Sequence, residues 1–241
     1  MIFTSINNEN IKNIKKLNTK KYRDEQRMFL VEGDHLVEEA IKHNKLETLI
    51  ITEKYNGINF KNKIIVNEKV MKYLSSLDTP KEIMGICKKN NCSNIGKKVI
   101  ALDGVQDPGN LGTIIRSANA FNIDTILISK DTVDPYNSKV VRASQGMILN
   151  TNIIECNLSE TLETLSDYKI YGTSVVNGEN IKNIVNPEKF VIVMGNEGNG
   201  VSECVKKECN DFIYIPMNQN CESLNVAVAA SILMYELNGG V

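Results

Sequence analysis

The sequence predicts an α/β protein in two parts: a small α/β domain, then a larger one whose parallel sheet is covered by helices on both faces. Strand-like apolar runs alternate with helix-like segments along the whole chain, which is the grammar of α/β folds. In the later part the runs KVIAL, TILIS and FVIVM are apolar almost throughout rather than alternating, as strands buried on both faces are. Between the parts lies KKNNCSNIGKK, residues 88–98, the one convincing linker. These observations place a first domain at 1–92, a linker at 93–98 and a second domain at 99–241.

In order, NNENIKNIKKL reads as a short helix, RMFLVEG as a strand ending at Gly33, and DHLVEEAIKHN as a helix. LETLIIT is a strand, VNEKVMKYLSS a helix and KEIMGICKK a strand, which completes the first domain. The second opens with the strand KVIALDGV, followed by a turn and helix in DPGNLGTIIRSANAFN. DTILIS is a strand, DPYNSKVVRASQGMIL a turn and helix, TNIIEC a strand, SETLETLSDY a helix and KIYGTSVV a strand. KFVIVMGNE is an apolar strand running into glycines, and SECVKKEC a helix. DFIYIPM is the last strand and ESLNVAVAASILMYELNG the last helix.

That last helix is the longest apolar stretch, yet it falls short of a membrane span and carries Asn225, Ser231 and Glu236. The N-terminal MIFTSINNENIKNIKK lacks the apolar core of a signal peptide, so a cytoplasmic protein is expected. Six cysteines (Cys87, Cys92, Cys156, Cys204, Cys209, Cys221) are scattered without a CxxC pair, and both histidines, His35 and His43, lie far in sequence from most of them. Reduced thiols and no metal site are the expectation. A net charge of −1 gives no global attraction for nucleic acid, but residues 1–27 hold seven Lys or Arg (Lys12, Lys15, Lys16, Lys20, Lys21, Arg23, Arg27) against Glu9, Asp24 and Glu25. Such a stripe is either a solvated helix face or a holder of phosphates.

Three strand ends carry polar groups, at the sheet edge where α/β proteins bind ligands. After the first, Asp107-Pro108-Gly109 makes a turn and Asn110 is expected to cap a helix with Leu111, Ile114, Ala118 and Phe121 on one stripe. Arg116 lies off that stripe, facing solvent or a cleft. After the second, Gly195, Gly198 and Gly200 permit a turn that a ligand can approach closely, with Glu197 inside it. Their spacing is G-x-x-G-x-G, not the dinucleotide fingerprint. After the third, Ile215, Pro216 and Met217 leave the strand and Ser223 and Asn225 open the last helix. An unpaired buried amide costs roughly 1–3 kcal/mol, so Asn225 needs a partner. Either a ligand or a neighbouring loop supplies it.

NLGTIIR (Asn110 to Arg116), MGNEGNG and IPM…ESLNVAVA (Ile215 to Ala229) together resemble the three motifs of SpoU/TrmH-type RNA 2′-O-ribose methyltransferases, in the family's order. The segment KKLNTKKYRDEQRMFLVEGDHLVEEAIK resembles that family's appended RNA substrate-binding domain, so the likeness covers nearly the whole chain. The resemblance implies a C-terminal trefoil-knot (SPOUT) domain behind a ribosomal-protein-like domain, a homodimer, and S-adenosylmethionine as methyl donor. A knot is not something sequence spacing reveals.

It also implies roles. Asn110 and Arg116 would engage ribose and phosphate, with Glu197, Ser223 and Asn225 completing the catalytic group. Thr173, Gly195, Asn196, Gly198, Ile215, Pro216, Met217, Ser223 and Leu224 would hold the cofactor. Lys15, Lys16, Lys20, Lys21, Arg23, Arg27 and Arg116 would hold RNA. Two departures from the family pattern are Gln219, at a usual loop glycine, and Ala227, at the motif's second serine. Ribosomal RNA is the expected substrate because the appended domain is typical of members acting on it. A transfer-RNA methyltransferase, a non-catalytic RNA-binding protein and a nucleotide-dependent oxidoreductase are the other readings.

Overall fold

The computed structural model describes residues 2–91, 93–175, 178–218 and 220–239; the positions of Cys92 and Gln219 lie outside them. The chain forms two compact units. One is Met1–Asn90 together with Asp134–Asn150, the other Asn91–Val133 together with Thr151–Val241. The sequence reading divided the chain once, near 93–98, and kept 134–150 with the second domain; the contacts of that segment put it in the first.

The first unit contains β1 (Ile2–Phe3), α1 (Glu9–Lys16), α2 (Lys20–Gln26), β2 (Met28–Glu32), α3 (Asp34–Lys42), β3 (Leu46–Thr52), β4 (Lys63–Val66), α4 (Glu68–Leu74) and β5 (Ile83–Lys88). Its sheet runs β1-β4-β3-β5-β2, with β1, β4 and β3 parallel and β5 antiparallel to both β3 and β2. Asn8 and Asn67 cap α1 and α4 by accepting from first-turn N–H groups, the usual device for orphan donors. Ile11 and Ile14 of α1 and Val70, Met71 and Leu74 of α4 join Leu30, Ile50 and Met84 of the sheet in one core. Three elements were not anticipated. β1 and β4 are short, and α2 buries Arg23 where an amphipathic helix would bury an apolar residue.

The second unit begins with β6 (Lys98–Leu102), α5 (Pro108–Ala120) and β7 (Thr125–Ile128). The chain then supplies α6 (Ser138–Ala143) to the first unit, with a short 3-10 turn at Met147–Leu149. It continues with β8 (Ile153–Glu155), α7 (Leu158–Glu163), β9 (Lys169–Thr173), β10 (Glu179–Asn180), β11 (Phe190–Met194), α8 (Glu203–Lys206), β12 (Asp211–Tyr214) and α9 (Val226–Leu237). All seven strands are parallel, in the order β10-β12-β9-β11-β6-β7-β8. The central β11 is buried at every position, as its unbroken apolar run requires. β11 also lies between β6 and β9, so the late strands return to the middle of the sheet, and the ends of β6, β9, β11 and β12 share one edge.

Asp134–Asn150 is tied into the first unit by charge and ring contacts. The Arg23 guanidinium, only 5% exposed, donates to Asp134 Oδ2 at 2.5 and 3.1 Å and to the Leu17 carbonyl at 2.9 Å. The Tyr136 ring lies 4.8 Å from that of Phe29. The Lys89 ammonium, 4.5 Å from the Tyr136 ring centre, bonds Asp24 at 2.5 Å. Buried cations are tolerable only when paired in this way.

Candidate active site

The first strand end turns at Gly104, whose φ of +79° is left-handed backbone that glycine adopts without strain. Asp107, not Asn110, caps α5: its carboxylate accepts the Asn110 N–H at 2.8 Å, with Pro108 in the first turn. The correction matters chemically, because a capping side chain is committed to its helix. Asn110, inside the first turn, keeps its amide for other partners. Leu111, Ile114 and Ala118 form the buried stripe as expected.

The last helix also begins later than expected. α9 starts at Val226, and Ser223 and Leu224 precede it in irregular backbone. Asn225 is its cap, with Oδ1 accepting from the N–H groups of Ala227 at 2.9 Å and Val228 at 3.3 Å. Asn225 is exposed rather than buried. Its remaining donor, Nδ2, gives a 2.9 Å hydrogen bond to Asn110 Oδ1, and Asn110 Nδ2 donates to Glu197 Oε1 at 3.0 Å. Asn225 thus finds its partners in the start of its own helix and in the first turn of α5 rather than in a loop.

Glu197 closes this chain of bonds. It accepts from the backbone N–H groups of Gln106 at 3.3 Å and Asp107 at 3.4 Å. Partial burial pushes its carboxyl pKa up, but the Asn110 amide and the backbone donors outweigh that and hold it below the ordinary glutamate range. Glu197 is thus an ionised acceptor near neutral pH. Its turn is rigid: Asn196 and Gly200 exchange backbone bonds at 3.0 and 2.9 Å, and Asn196 Nδ2 donates to the Gly104 carbonyl at 2.8 Å. A Cβ on Gly195 would stand 2.1 Å from the Gly200 carbonyl carbon, so only glycine fits.

A cleft of about 470 Å³ opens beside this group, a size typical of small-molecule sites. Thr173, Gly195, Asn196, Gly198, Ile215, Met217, Ser223 and Leu224 line it, together with Glu197 and Asn225; Pro216 does not. The Thr173 hydroxyl is engaged by the Val193 carbonyl at 2.9 Å. Met194, Ala229 and Leu233 add apolar wall that sequence reasoning did not assign. On β11 and α9 a cleft-facing residue and a core one are equally apolar, so the sequence held no signal for them. The Gln106 and Asp107 N–H donors were missed for a similar reason, since a backbone donor has no residue-type signature. Among the described residues that line the cleft Glu197 alone carries a charge. Arg116 sits exposed on α5, and its guanidinium makes no hydrogen bond or ion pair among the described residues. It is not joined to the Asn225–Asn110–Glu197 chain.

Residues 97–235 match the SpoU rRNA Methylase family, and residues 8–85 an MRM3-like substrate binding domain. The chain belongs to the SpoU rRNA methylase family. It is 37% identical to the 23S rRNA (guanosine(2553)-2'-O)-methyltransferase RlmP of Bacillus subtilis, over 98% of both chains. An AdoMet-bound rRNA methyltransferase from Sinorhizobium meliloti superposes with a TM-score of 0.86 at 30% identity, covering 99% of this chain and 97% of that one. A putative RNA methyltransferase of the TrmH family from Porphyromonas gingivalis gives 0.84 at 30% identity, covering 97% and 98%. The second and third strand ends line the cleft, and Asn110 of the first is hydrogen-bonded to Glu197 and Asn225 of its lining.

The basic residues of the SpoU chain's first unit are not equivalent. Arg23 is buried against Asp134 and is unavailable to RNA, so its expected role is withdrawn. Lys20 pairs with Asp24 at 3.3 Å and Lys21 with Glu25 at 3.9 Å. Arg27 donates to the Asn90 carbonyl at 3.1 Å. The free thiols among the described residues are Cys87, Cys156, Cys204, Cys209 and Cys221, and no group of metal-ligating side chains occurs among them. No helix among the described residues is long and apolar enough to cross a membrane.

Proposed function

We propose that this protein is an S-adenosylmethionine-dependent RNA 2′-O-ribose methyltransferase acting on ribosomal RNA. The observation that carries the reading is the charge of the cleft. A cationic sulfonium suits a site where, among the described lining residues, the one charged group is the Glu197 carboxylate, whereas a dinucleotide pyrophosphate would want cations that those residues do not supply. Apolar wall from Ile215, Leu224 and Leu233 suits a nucleoside, and Ser223, which also lines the cleft, brings a hydroxyl that can bond it.

S-adenosylmethionine, when bound, supplies an electrophilic methyl group. The chain's own residues then position the acceptor. Arg116, with no internal partner among the described residues, clamps the phosphate beside the target ribose and stabilises the developing alkoxide as a donor. Asn110, held by Asn225 and Glu197, presents fixed polar atoms toward the sugar. Lys15, Lys16, Lys20, Lys21 and Arg27 hold RNA at the first unit. With a relative named for position 2553 of 23S rRNA matching end to end, ribosomal RNA is preferred over transfer RNA, and the cytoplasm is where the chain would meet it. The stripe Val228, Ile232 and Tyr235 on α9, exposed or half-buried and at helical spacing, supports a homodimer.

Calorimetry tests the cofactor and sequencing tests the substrate. S-adenosylhomocysteine should bind and NAD should not. Ribose-methylation mapping of total RNA should lose one 23S signal when the gene is deleted. A lost transfer-RNA signal instead would move the substrate, and NAD binding would overturn the reading.

A further inference from the structure

Two helices of the first unit bring together lysines that are distant in sequence. α1 and α4 pack through Ile11, Ile14, Val70, Met71 and Leu74. Their C-terminal ends coincide: Asn18 donates its amide to the Leu74 carbonyl at 3.0 Å, and the Lys15 ammonium stands 5.2 Å from the centre of the Tyr73 ring. That ring contact fixes which flanks meet. At about 100° per residue, Lys12 lies on the Lys15 flank of α1 and Lys69 on the Tyr73 flank of α4, while Lys72, one turn on from Lys69, stands beside it on the solvent-facing side of the helix. Lys12, Lys15 and Lys69 therefore border one seam, with Lys72 at its outer edge on α4 and Lys16 at its outer edge on α1, 5.5 Å from the centre of the Tyr22 ring.

The charge there is not compensated. The ammonium groups of Lys12, Lys69 and Lys72 have no hydrogen bond or ion pair among the described residues, and Lys15 meets only an aromatic face. The two acids of these helices, Glu9 and Glu68, are their first residues, where the helix dipole favours them, and Glu68 is engaged by Lys54 at 2.6 Å. On α2, by contrast, Lys20 and Lys21 have carboxylate partners and Arg23 is buried. Cations held together without counter-charge are a footprint for a polyanion.

We infer that the α1/α4 seam, through Lys12, Lys15, Lys69 and Lys72, grips the phosphate backbone of a structured RNA. The inference rests on the proposed function and moves the main grip away from α2. Tyr73 steadies Lys15 by its ring face, and backbone contacts of this kind position an RNA without reading its bases.

The test uses the full chain and a 23S rRNA transcript, with affinity measured between 50 and 200 mM KCl. Lys12→Gln, Lys69→Gln and Lys72→Gln together keep helix propensity. They should flatten the plot of log K against log salt by about 2 to 3, near one for each phosphate that is no longer neutralised, and weaken binding at least about tenfold. Thermal unfolding and S-adenosylhomocysteine affinity should stay at wild-type values. A control triple, Lys42→Gln, Lys63→Gln and Lys88→Gln, removes the same charge elsewhere on the unit and should keep the wild-type slope. A seam triple with the wild-type slope, or two triples equally impaired, overturns the seam while the methyltransferase reading stands. Wild-type protein that binds S-adenosylhomocysteine but not 23S rRNA overturns both the seam and the ribosomal substrate.

Discussion

Asn225 donates its side-chain amide to Oδ1 of Asn110 at 2.9 Å, joining the cap of α9 to the first turn of α5. The direction of this bond is forced, because Asn225 Oδ1 is already committed to two helix N–H groups. Asn110 must then turn its own donor toward Glu197. Asn225→Ala should cost about 1 kcal/mol as a lost cap and release Asn110, lowering turnover on rRNA far more than stability. Single-turnover rates alongside urea melts would show the two effects. Equal activity in the variant would remove Asn225 from the catalytic group.

Arg116→Ala should reduce methyl transfer by about 10²- to 10³-fold, the scale seen when one stabilising donor is removed. Its S-adenosylhomocysteine affinity should hold, since the guanidinium does not line the cleft. Lost cofactor affinity with normal turnover at saturation would contradict the assignment.

Glu197 gives a pH signature. Its folded pKa lies below the ordinary value, so its ionised form contributes stability that is present above about pH 4.3, the unfolded value, and lost as pH falls through the folded pKa. Glu197→Gln should therefore flatten the fall in melting temperature between neutral and acid pH. Asn110→Asp acts in the opposite sense on the same group: a second carboxylate replaces a donor, and the acid limb of kcat/KM should move toward neutral pH.

Gly195→Ala should cripple cofactor binding without touching any polar ligand group. The added methyl would meet the backbone of Gly200 and Val201 at 2.1 and 2.3 Å, and backbone cannot swing aside as a side chain can. Titration with S-adenosylhomocysteine should show at least about a tenfold loss, in line with a displacement costing more than about 1.4 kcal/mol.

Arg23→Ala leaves Asp134 buried and unpaired, which typically costs about 3–5 kcal/mol. Urea unfolding followed at the first unit should show that loss. A merely surface arginine would cost almost nothing.

Strand identity in the second unit was legible because burial on both faces writes an unbroken apolar run, as in Phe190–Met194. Asn110, Glu197 and Asn225, singled out through their motifs, are joined in one chain of hydrogen bonds. Their wiring was not, since capping depends on one residue's offset: Asp107 took the cap that Asn110 was given, and Asn225 the start that Ser223 was given. Arg23 looked like an RNA contact because its burial comes from Asp134, a partner more than a hundred positions away that no local pattern announces.

The stretch Asp134–Asn150, built into the first unit while both its ends continue into the second, makes any single-cut chimera unsound. Replacing everything before Lys97 with the equivalent piece of a cousin would strand the aspartate and tyrosine of this tongue opposite foreign residues. A working hybrid has to exchange the tongue along with the front piece, so that three junctions are spliced rather than one.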